Sequence, residues 1–350
     1  MTQPTHEPSV RWGNHRRPPK TGRRFSPMVC AVAAIGIAIV IAAAILVPIA
    51  LHRSLARSFQ PKQSVPYLGV FEPDAPGSYA GINQFAQAIG RQPNVVPYYS
   101  HWFQPFNSNF ASTAAKHGAV TLVQIAPRNI PLSSIVSGQY DAYLRSYADA
   151  VKAFGSRVVL SFGHEMNGSW YSWGYKHTSP AIFVAAWRHI VTIFRGQGAS
   201  NVTWMWTVNI IGAQANRIPE PSPWWPGNSY VNWVGIDGYY WSSSLGFASL
   251  FGPTIADVRR LTSDPILIAE TGAEPSAGQP AKIADLFAGV STFGLLGFVY
   301  FNDDVFSAAI PDEALNWRLG SPAALAAFRS EVKAFMKPSG KSSATTAEDS

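Results

Sequence analysis

The stretch that decides the fold is Arg157-Val-Val-Leu-Ser-Phe-Gly-His-Glu-Met-Asn-Gly-Ser-Trp-Tyr-Ser-Trp173. It opens as a short apolar run, Val158 to Phe162, which is typical of a strand buried on both faces. The run stops at a polar cluster that contains Glu165, and three large aromatic residues follow at once. Burial beside aromatic rings raises the pKa of a carboxyl group, and such rings stack on the C–H faces of a sugar. The competing interpretation is structural: Glu165 caps the next helix, and the tryptophans belong to the core.

A second carboxylate stands in the same setting and favours the functional interpretation. In Pro265-Ile-Leu-Ile-Ala-Glu-Thr-Gly272, another short buried-strand run stops at Glu270. Two acids that end two buried strands form the kind of pair that can divide proton transfer and nucleophilic attack between them.

Strand-like and helix-like patterns alternate through the rest of the chain. Strands are predicted at 67–71, 94–99, 120–125, 158–162, 202–208, 233–236, 266–269 and 297–301. Helices are predicted at 82–89, 111–117, 140–154, 181–195, 255–261, 281–292 and 322–336. Eight strands alternating with helices over about 270 residues match a (β/α)8 TIM barrel, whose sites lie at the carboxyl ends of the strands.

A doubly wound open sheet is the rival fold, because it shows the same alternation. That fold usually carries a glycine-rich phosphate turn after its first strand. Here the first strand ends Gly69-Val-Phe-Glu-Pro-Asp-Ala-Pro-Gly77, which lacks that fingerprint. The barrel is therefore the predicted fold.

The basic excess of the chain is concentrated at its amino terminus. Residues 1–27 hold six of the 27 Lys and Arg residues but one of the 20 acids, so the +7 net charge falls to +2 in the remainder. We interpret 1–27 as a disordered cytoplasmic tail. The balanced remainder gives no nucleic-acid footprint.

An uninterrupted apolar stretch follows, from Met28 to Leu51. It exceeds the roughly 20 residues that a membrane-spanning helix needs, and the preceding basic residues predict a cytoplasmic amino terminus. We therefore expect a transmembrane signal anchor at 28–51, a linker at 52–65 and an exported domain at 66–337, followed by a disordered tail at 338–350. A cleaved secretory signal is the alternative. The sole cysteine, Cys30, lies in the span, so the exported part contains no disulfide.

The two glutamates end the fourth and seventh predicted strands, so their side chains should face each other across the mouth of the barrel. Retaining glycosidases place their two carboxyl groups about 5–5.5 Å apart. The sixth strand ends Gly235-Ile-Asp-Gly-Tyr-Tyr-Trp241, and a tyrosine there could donate its hydroxyl to Glu270. His164, Glu165 and His177 lack the second histidine at helical spacing that a zinc site needs, so we expect no metal.

The segment Gly163–Trp173 resembles the acid/base motif of glycoside hydrolase family 26, a family of retaining β-mannanases and β-glucanases with a (β/α)8 barrel. The resemblance implies that Glu165 is the acid/base and Glu270 the nucleophile. It also implies that His164, Asp237 and Tyr239 belong to the substrate site. We further predict that Trp170, Trp173 and Tyr300 bind substrate. The likeness covers most of residues 66–336. The chain departs from the clan at the end of the eighth strand, where Val299-Tyr-Phe-Asn302 stands in place of the usual Trp.

These observations predict a membrane-anchored, extracytoplasmic, endo-acting hydrolase of a β-linked polysaccharide, either β-mannan or β-1,3/1,4-glucan. No cofactor is implied. The partners expected are the polysaccharide and the membrane, and no nucleic acid. The missing tryptophan motivates a competing hypothesis, a non-catalytic carbohydrate-binding protein. The anchor motivates another, an assembly protein for envelope polysaccharide.

Overall fold

The computed structural model describes residues 65–211, 218–242, 244–306 and 314–337. Eight parallel strands close into a barrel in the order of the chain, which confirms the predicted TIM barrel. The barrel strands are β1 (Tyr67–Phe71), β2 (Val95–His101), β3 (Val120–Ala126), β4 (Val158–Phe162), β5 (Val202–Asn209), β6 (Trp233–Asp237), β7 (Ile266–Thr271) and β8 (Gly297–Phe301). The helices are α1 (Ala80–Ile89), α2 (Ser108–Lys116), α3 (Leu132–Val136), α4 (Asp141–Phe154), α5 (Pro180–Gly196), α6 (Phe247–Leu261), α7 (Gln279–Thr292) and α8 (Pro322–Phe335).

The strands are mostly apolar because both of their faces are buried. Alternate residues pack inside the barrel, where Val159 of β4 and Met205 of β5 belong to one cluster. The residues between them, such as Leu160, face outward and pack against the helices. The barrel is therefore filled by side chains, and its polar groups collect at the carboxyl ends of the strands.

Three parts of the fold differ from the sequence prediction. The short helix α3 was not predicted. Helix α6 begins at Phe247, eight residues before the predicted start, and continues through Pro253 because Phe247, Leu250 and Phe251 bury an apolar face. A small antiparallel pair, β9 (Asp304–Phe306) with β10 (Ala314–Asn316), follows β8 and was not predicted.

In the part of the chain that the structure describes, no helix has the length and apolarity needed to cross a membrane. The predicted tail at 1–27, the predicted span at 28–51 and the predicted tail at 338–350 lie outside the described residues, as does all of the linker except residue 65.

Candidate active site

Glu165 projects from a tight turn at the end of β4. Its φ angle of 55° lies in the left-handed region, which is rare for residues other than glycine, and Gly163 before it has a φ of 56°. The turn is held by the backbone, since the Glu165 amide donates to the Thr207 carbonyl of β5 at 3.0 Å. Left-handed backbone at a bulky residue is often found at functional sites, where neighbouring structure maintains it.

Two side-chain donors orient the Glu165 carboxylate. Asn209 Nδ2 donates to Oε1 at 2.5 Å, and Trp170 Nε1 donates to Oε2 at 2.7 Å. Asn209 ends β5 and Trp170 lies in the loop after β4. The position of Glu165 therefore depends on β4, on the loop that follows it and on β5. Glu165 is 7% exposed, which leaves little of it in contact with solvent.

Glu270 reaches the mouth because β7 carries an irregularity in its pairing. Ile236 pairs with Ile268, but the next residue of β6, Asp237, pairs with Glu270, so one extra residue is inserted on β7. Leu267 and Ala269 face the barrel interior, and without the insertion Glu270 would face the helices. A bulge of this kind redirects a side chain, and such bulges are common next to active sites.

Two tyrosine hydroxyls donate to Glu270, one to each oxygen. Tyr239 donates to Oε2 at 2.9 Å, as the sequence predicted for a tyrosine after the sixth strand. Tyr99, at the end of β2, donates to Oε1. The carboxylate is 8% exposed and is held on both sides by donors that favour its ionised form.

Burial raises the pKa of both carboxyl groups. For Glu165 desolvation dominates, and the hydrogen bonds from Asn209 and Trp170 oppose it. For Glu270 desolvation raises the pKa, the charge of Glu165 raises it further, and the two tyrosine hydroxyls lower it. The two acids are therefore close enough to repel, and the pair retains a proton at a pH where exposed carboxyl groups are ionised.

His164 lies beside this pair as a neutral imidazole. Burial, assisted by the charge of Arg128, lowers its pKa to about 3. Its Nε2 lies 3.3 Å from the Tyr171 hydroxyl, whereas Nδ1 is buried with no hydrogen-bond partner among the described residues. The ring also lies 5.5 Å from that of Tyr99, so it links the surroundings of Glu165 with those of Glu270.

Asp237 is fully buried at the end of β6, and neither carboxyl oxygen has a hydrogen-bond partner within the described ranges. Burial raises its pKa well above the usual range, and the charges of Glu270 and Glu165 add to that effect. Asp237 is therefore a third acid at the mouth and is kept neutral.

Two residues predicted to contact substrate have other environments. Trp173 is 1% exposed, its Nε1 donates to the His164 carbonyl at 2.7 Å, and its ring stacks on Tyr171. Trp173 therefore packs against the turn that carries Glu165 and has no face open to a ligand. The prediction that Tyr300 binds substrate is wrong. Tyr300 shares the outer face of β8 with Phe298 and packs against Phe328 of α8.

The structure also supplies residues that sequence reasoning did not assign to the site. Tyr99 and Asn209 end β2 and β5, so the rule that sites lie at the carboxyl ends of barrel strands could have found both. Trp317, which follows β10, packs 4.6 Å from Tyr239 and 5.0 Å from Trp241. The sequence of β8 does not predict this tryptophan, because Trp317 lies sixteen residues after Phe301, the last residue of β8.

A pocket of about 390 Å³ lies between the loops after β3 and β4. Its walls are formed by residues 129–133 on one side and by residues 172, 177–179 and 182 on the other. Apolar and polar side chains both line it, and none of the residues predicted for the site is among them.

Comparison with known proteins gives consistent results. The family model described as glycosyl hydrolase family 26 matches residues 99–263. Endoglucanase H of Acetivibrio thermocellus is 28% identical over 73% of this chain and 29% of its own length. A mannan endo-1,4-beta-mannosidase of Bifidobacterium adolescentis is 24% identical over 55% of this chain and 19% of its own length. The chain thus spans under a third of each of these relatives.

Solved structures show the same fold. A family 26 β-mannanase from Bacteroides ovatus superposes with a TM-score of 0.56 at 15% identity, covering 81% of this chain and 92% of the mannanase. At this level of identity the likeness concerns the barrel alone.

Proposed function

We propose that this chain, which the glycosyl hydrolase family 26 model matches over residues 99–263, cleaves a β-linked polysaccharide by double displacement at Glu165 and Glu270. The family match confirms the resemblance inferred from Gly163–Trp173. The observation that carries the proposal is the pair of buried glutamates at the ends of β4 and β7, each oriented by two hydrogen-bond donors.

In the proposed mechanism, Glu270 attacks the anomeric carbon while Glu165 protonates the departing glycosidic oxygen. Glu165 then takes a proton from water, which attacks the glycosyl-enzyme and releases the sugar with its original configuration. The environments support this division of roles. Two hydroxyl donors favour negative charge on Glu270, and the repulsion between the acids holds one proton on the pair.

The proposed substrate is β-mannan or β-1,3/1,4-glucan, cut within the chain. The relatives support this range, since one is named an endoglucanase and another a mannan endo-1,4-beta-mannosidase. Half-buried aromatic side chains beside the acids, such as Trp170 and Tyr171, suit a ligand whose sugar rings have apolar faces.

Hydrolysis tests the proposal. The full-length chain, solubilised in detergent, is incubated with β-mannan, mixed-linkage β-glucan, β-1,3-glucan and xylan, and reducing ends are counted. We expect one of the first two polymers to be cut, with NMR showing retained configuration in the first products.

Glu270→Gln should lower turnover at least a thousandfold, since it removes the nucleophile. Glu331→Gln is the matched control, because Glu331 lies on α8, outside the strand ends, and this variant should keep full activity. An active Glu270→Gln variant would contradict the assignment of the nucleophile. If polymers bind but none is cut by the unmodified chain, the cleft is a binding site without turnover.

We also propose that residues 28–51 anchor this domain in the membrane with the barrel outside the cytoplasm. The support is the length and apolarity of that stretch and the basic residues before it.

A further inference from the structure

Phe103 is an exposed aromatic residue in a backbone conformation that phenylalanine seldom adopts. It follows β2 in a hydrogen-bonded turn, in which the Gln104 amide donates to the His101 carbonyl at 3.1 Å. Phe103 occupies the third position of this turn with a φ of 71°. A turn with positive φ at that position ordinarily has glycine there, and a bulky side chain in this region is a true outlier.

The ring is not used to build the core. Phe103 is 58% exposed, and among the described residues only Val136, at 37%, is another exposed large hydrophobic side chain. The ring of Phe103 lies 5.6 Å from Tyr140 and 5.5 Å from Tyr143, both of them half-buried. The three rings form a small aromatic surface, which we call the β2-turn platform.

The turn is firmly held, so the strain is maintained by the surrounding structure. Trp102 before Phe103 is buried, and its amide donates to the Ala126 carbonyl of β3 at 3.2 Å. The Tyr143 hydroxyl donates to the Gln104 carbonyl at 3.1 Å. These contacts hold the backbone of the turn in place on both sides of Phe103.

The platform lies on the same side of the barrel as the glutamates. Tyr99, whose hydroxyl donates to Glu270, stands four residues before Phe103, so their Cα atoms are at most about 14 Å apart. Because β2 ends at His101, the turn emerges at the carboxyl ends of the strands. A polysaccharide that extends from Glu270 over the end of β2 would reach the platform within a few sugar units.

We propose that the β2-turn platform is a distal sugar-binding site, on which a pyranose ring of the β-linked polysaccharide stacks away from the bond that is cut. This proposal rests on the proposed function, since the polysaccharide must already occupy the mouth. Aromatic rings bind the C–H faces of sugars, and an exposed apolar patch next to a catalytic mouth marks an extension of the ligand site. The site contributes affinity for long chains and adds nothing for a disaccharide.

The test is binding to the full-length Glu270→Gln variant, which separates affinity from turnover. The probes are mannohexaose and a mixed-linkage glucan hexasaccharide, with mannobiose and cellobiose as short counterparts, measured by calorimetry. Adding Phe103→Gly removes the ring and suits the backbone of the turn. It should weaken hexasaccharide binding roughly three- to tenfold and leave disaccharide binding unchanged.

Two control variants make the result specific. Phe103→Tyr keeps an aromatic face and should bind hexasaccharides like the Glu270→Gln parent. Val136→Ser removes exposed apolar surface from α3 and should also bind like the parent. The thermal midpoint of the Phe103→Gly variant should not fall, because glycine relieves the positive φ.

Several outcomes would overturn the platform. One is equal hexasaccharide binding with and without the Phe103 ring, while the parent itself binds; the proposed function would then stand. Another is an equal loss of affinity for disaccharides and hexasaccharides, which would show that the turn supports the catalytic mouth. A third is a dimer of the parent that Phe103→Gly dissociates, which would make the patch a protein contact. If the parent binds no oligosaccharide at all, the proposed substrate class fails together with the platform.

Discussion

The carboxyl group of Glu270 has opposing influences on its charge. Burial and the charge of Glu165 raise its pKa, whereas the hydroxyls of Tyr99 and Tyr239 lower it. The net effect is a raised pKa, so the folded chain holds a proton on this group where the unfolded chain has already released it. When a bound substrate develops positive charge at its anomeric carbon, that charge favours the ionised form of Glu270. The pKa of the nucleophile is therefore lowered only while the substrate is bound and reacting.

The raised pKa of Glu270 predicts a specific dependence of stability on pH. In the unfolded chain the group titrates near its ordinary value of 4.5. As pH rises above that value, the folded chain binds more protons than the unfolded chain, so the free energy of unfolding falls until the folded-state pKa is passed. Glu270→Gln cannot ionise and should lack this loss. Its midpoint should therefore exceed that of the parent at pH 8 by several degrees, at about 2–4 °C for each kcal/mol, and the difference should shrink toward pH 5.

Thermal unfolding of both chains at pH 5, 6, 7 and 8 checks this expectation. Glu331→Gln on α8 provides the comparison, because Glu331 lies outside the strand ends that carry the site, and its midpoint should track the parent. A constant difference between Glu270→Gln and the parent across the series would show that the effect comes from packing and not from ionisation.

At the level of single residues, the strand-end rule located more of the site than side-chain chemistry did. Glu165, Glu270 and Tyr239 were predicted from their positions at the ends of buried runs, Asp237 was implied by the family resemblance, and the structure places the four together. Tyr300 was misplaced because the two faces of an apolar strand look alike in sequence, and a shift of one residue exchanges inside for outside. The extra residue that turns Glu270 inward has no sequence signature, since Ala269 suits a regular strand equally well.

Among the elements, the crossing of α6 and α7 shows how one residue can fix a helix pair. A Cβ atom added to Gly289 of α7 would lie 2.0 Å from the ring of Phe247, the first residue of α6. Phe247 is also the residue that extends α6 to its early start. The close approach of the two helices therefore depends on the absence of a side chain at position 289.

Gly289→Ala should destabilise the chain despite the better helix propensity of alanine. Overpacking of this kind costs about 1–3 kcal/mol, more than the roughly 0.5–1 kcal/mol that alanine gains over glycine in a helix. Urea unfolding measures the change. Adding Phe247→Leu should recover part of the loss, as expected for two residues that share one contact. Gly196→Ala is the matched control, because an added Cβ at the end of α5 meets open space and should be neutral or stabilising. A Gly289→Ala chain as stable as the parent would mean that the helices separate without cost.

For the molecule as a whole, the alternation of strands and helices predicted the barrel closely. Seven of the eight predicted strands begin at the residue where the structure begins them, and the second begins one residue earlier, because buried parallel strands are continuous apolar runs with polar boundaries. Helix α6 was the main failure. Gly252-Pro253 reads as a helix breaker, yet the burial of Phe247 and Leu250 outweighs the hydrogen bond that the proline removes.

The proposed anchor gives the last prediction, and the single cysteine of the chain is the reporter. Cys30 lies within 28–51, so a chain that keeps its anchor carries one thiol, and a chain cleaved after this stretch carries none. We expect the expressed chain to sediment with membranes, to react with a maleimide once denatured, and to lose its barrel to protease added outside intact cells. Deleting residues 1–52 should leave the product in the soluble fraction. A Cys30→Ser chain controls for labelling at other sites. A secreted, thiol-free barrel would instead identify 28–51 as a cleaved signal, and a barrel protected from external protease would reverse the proposed orientation.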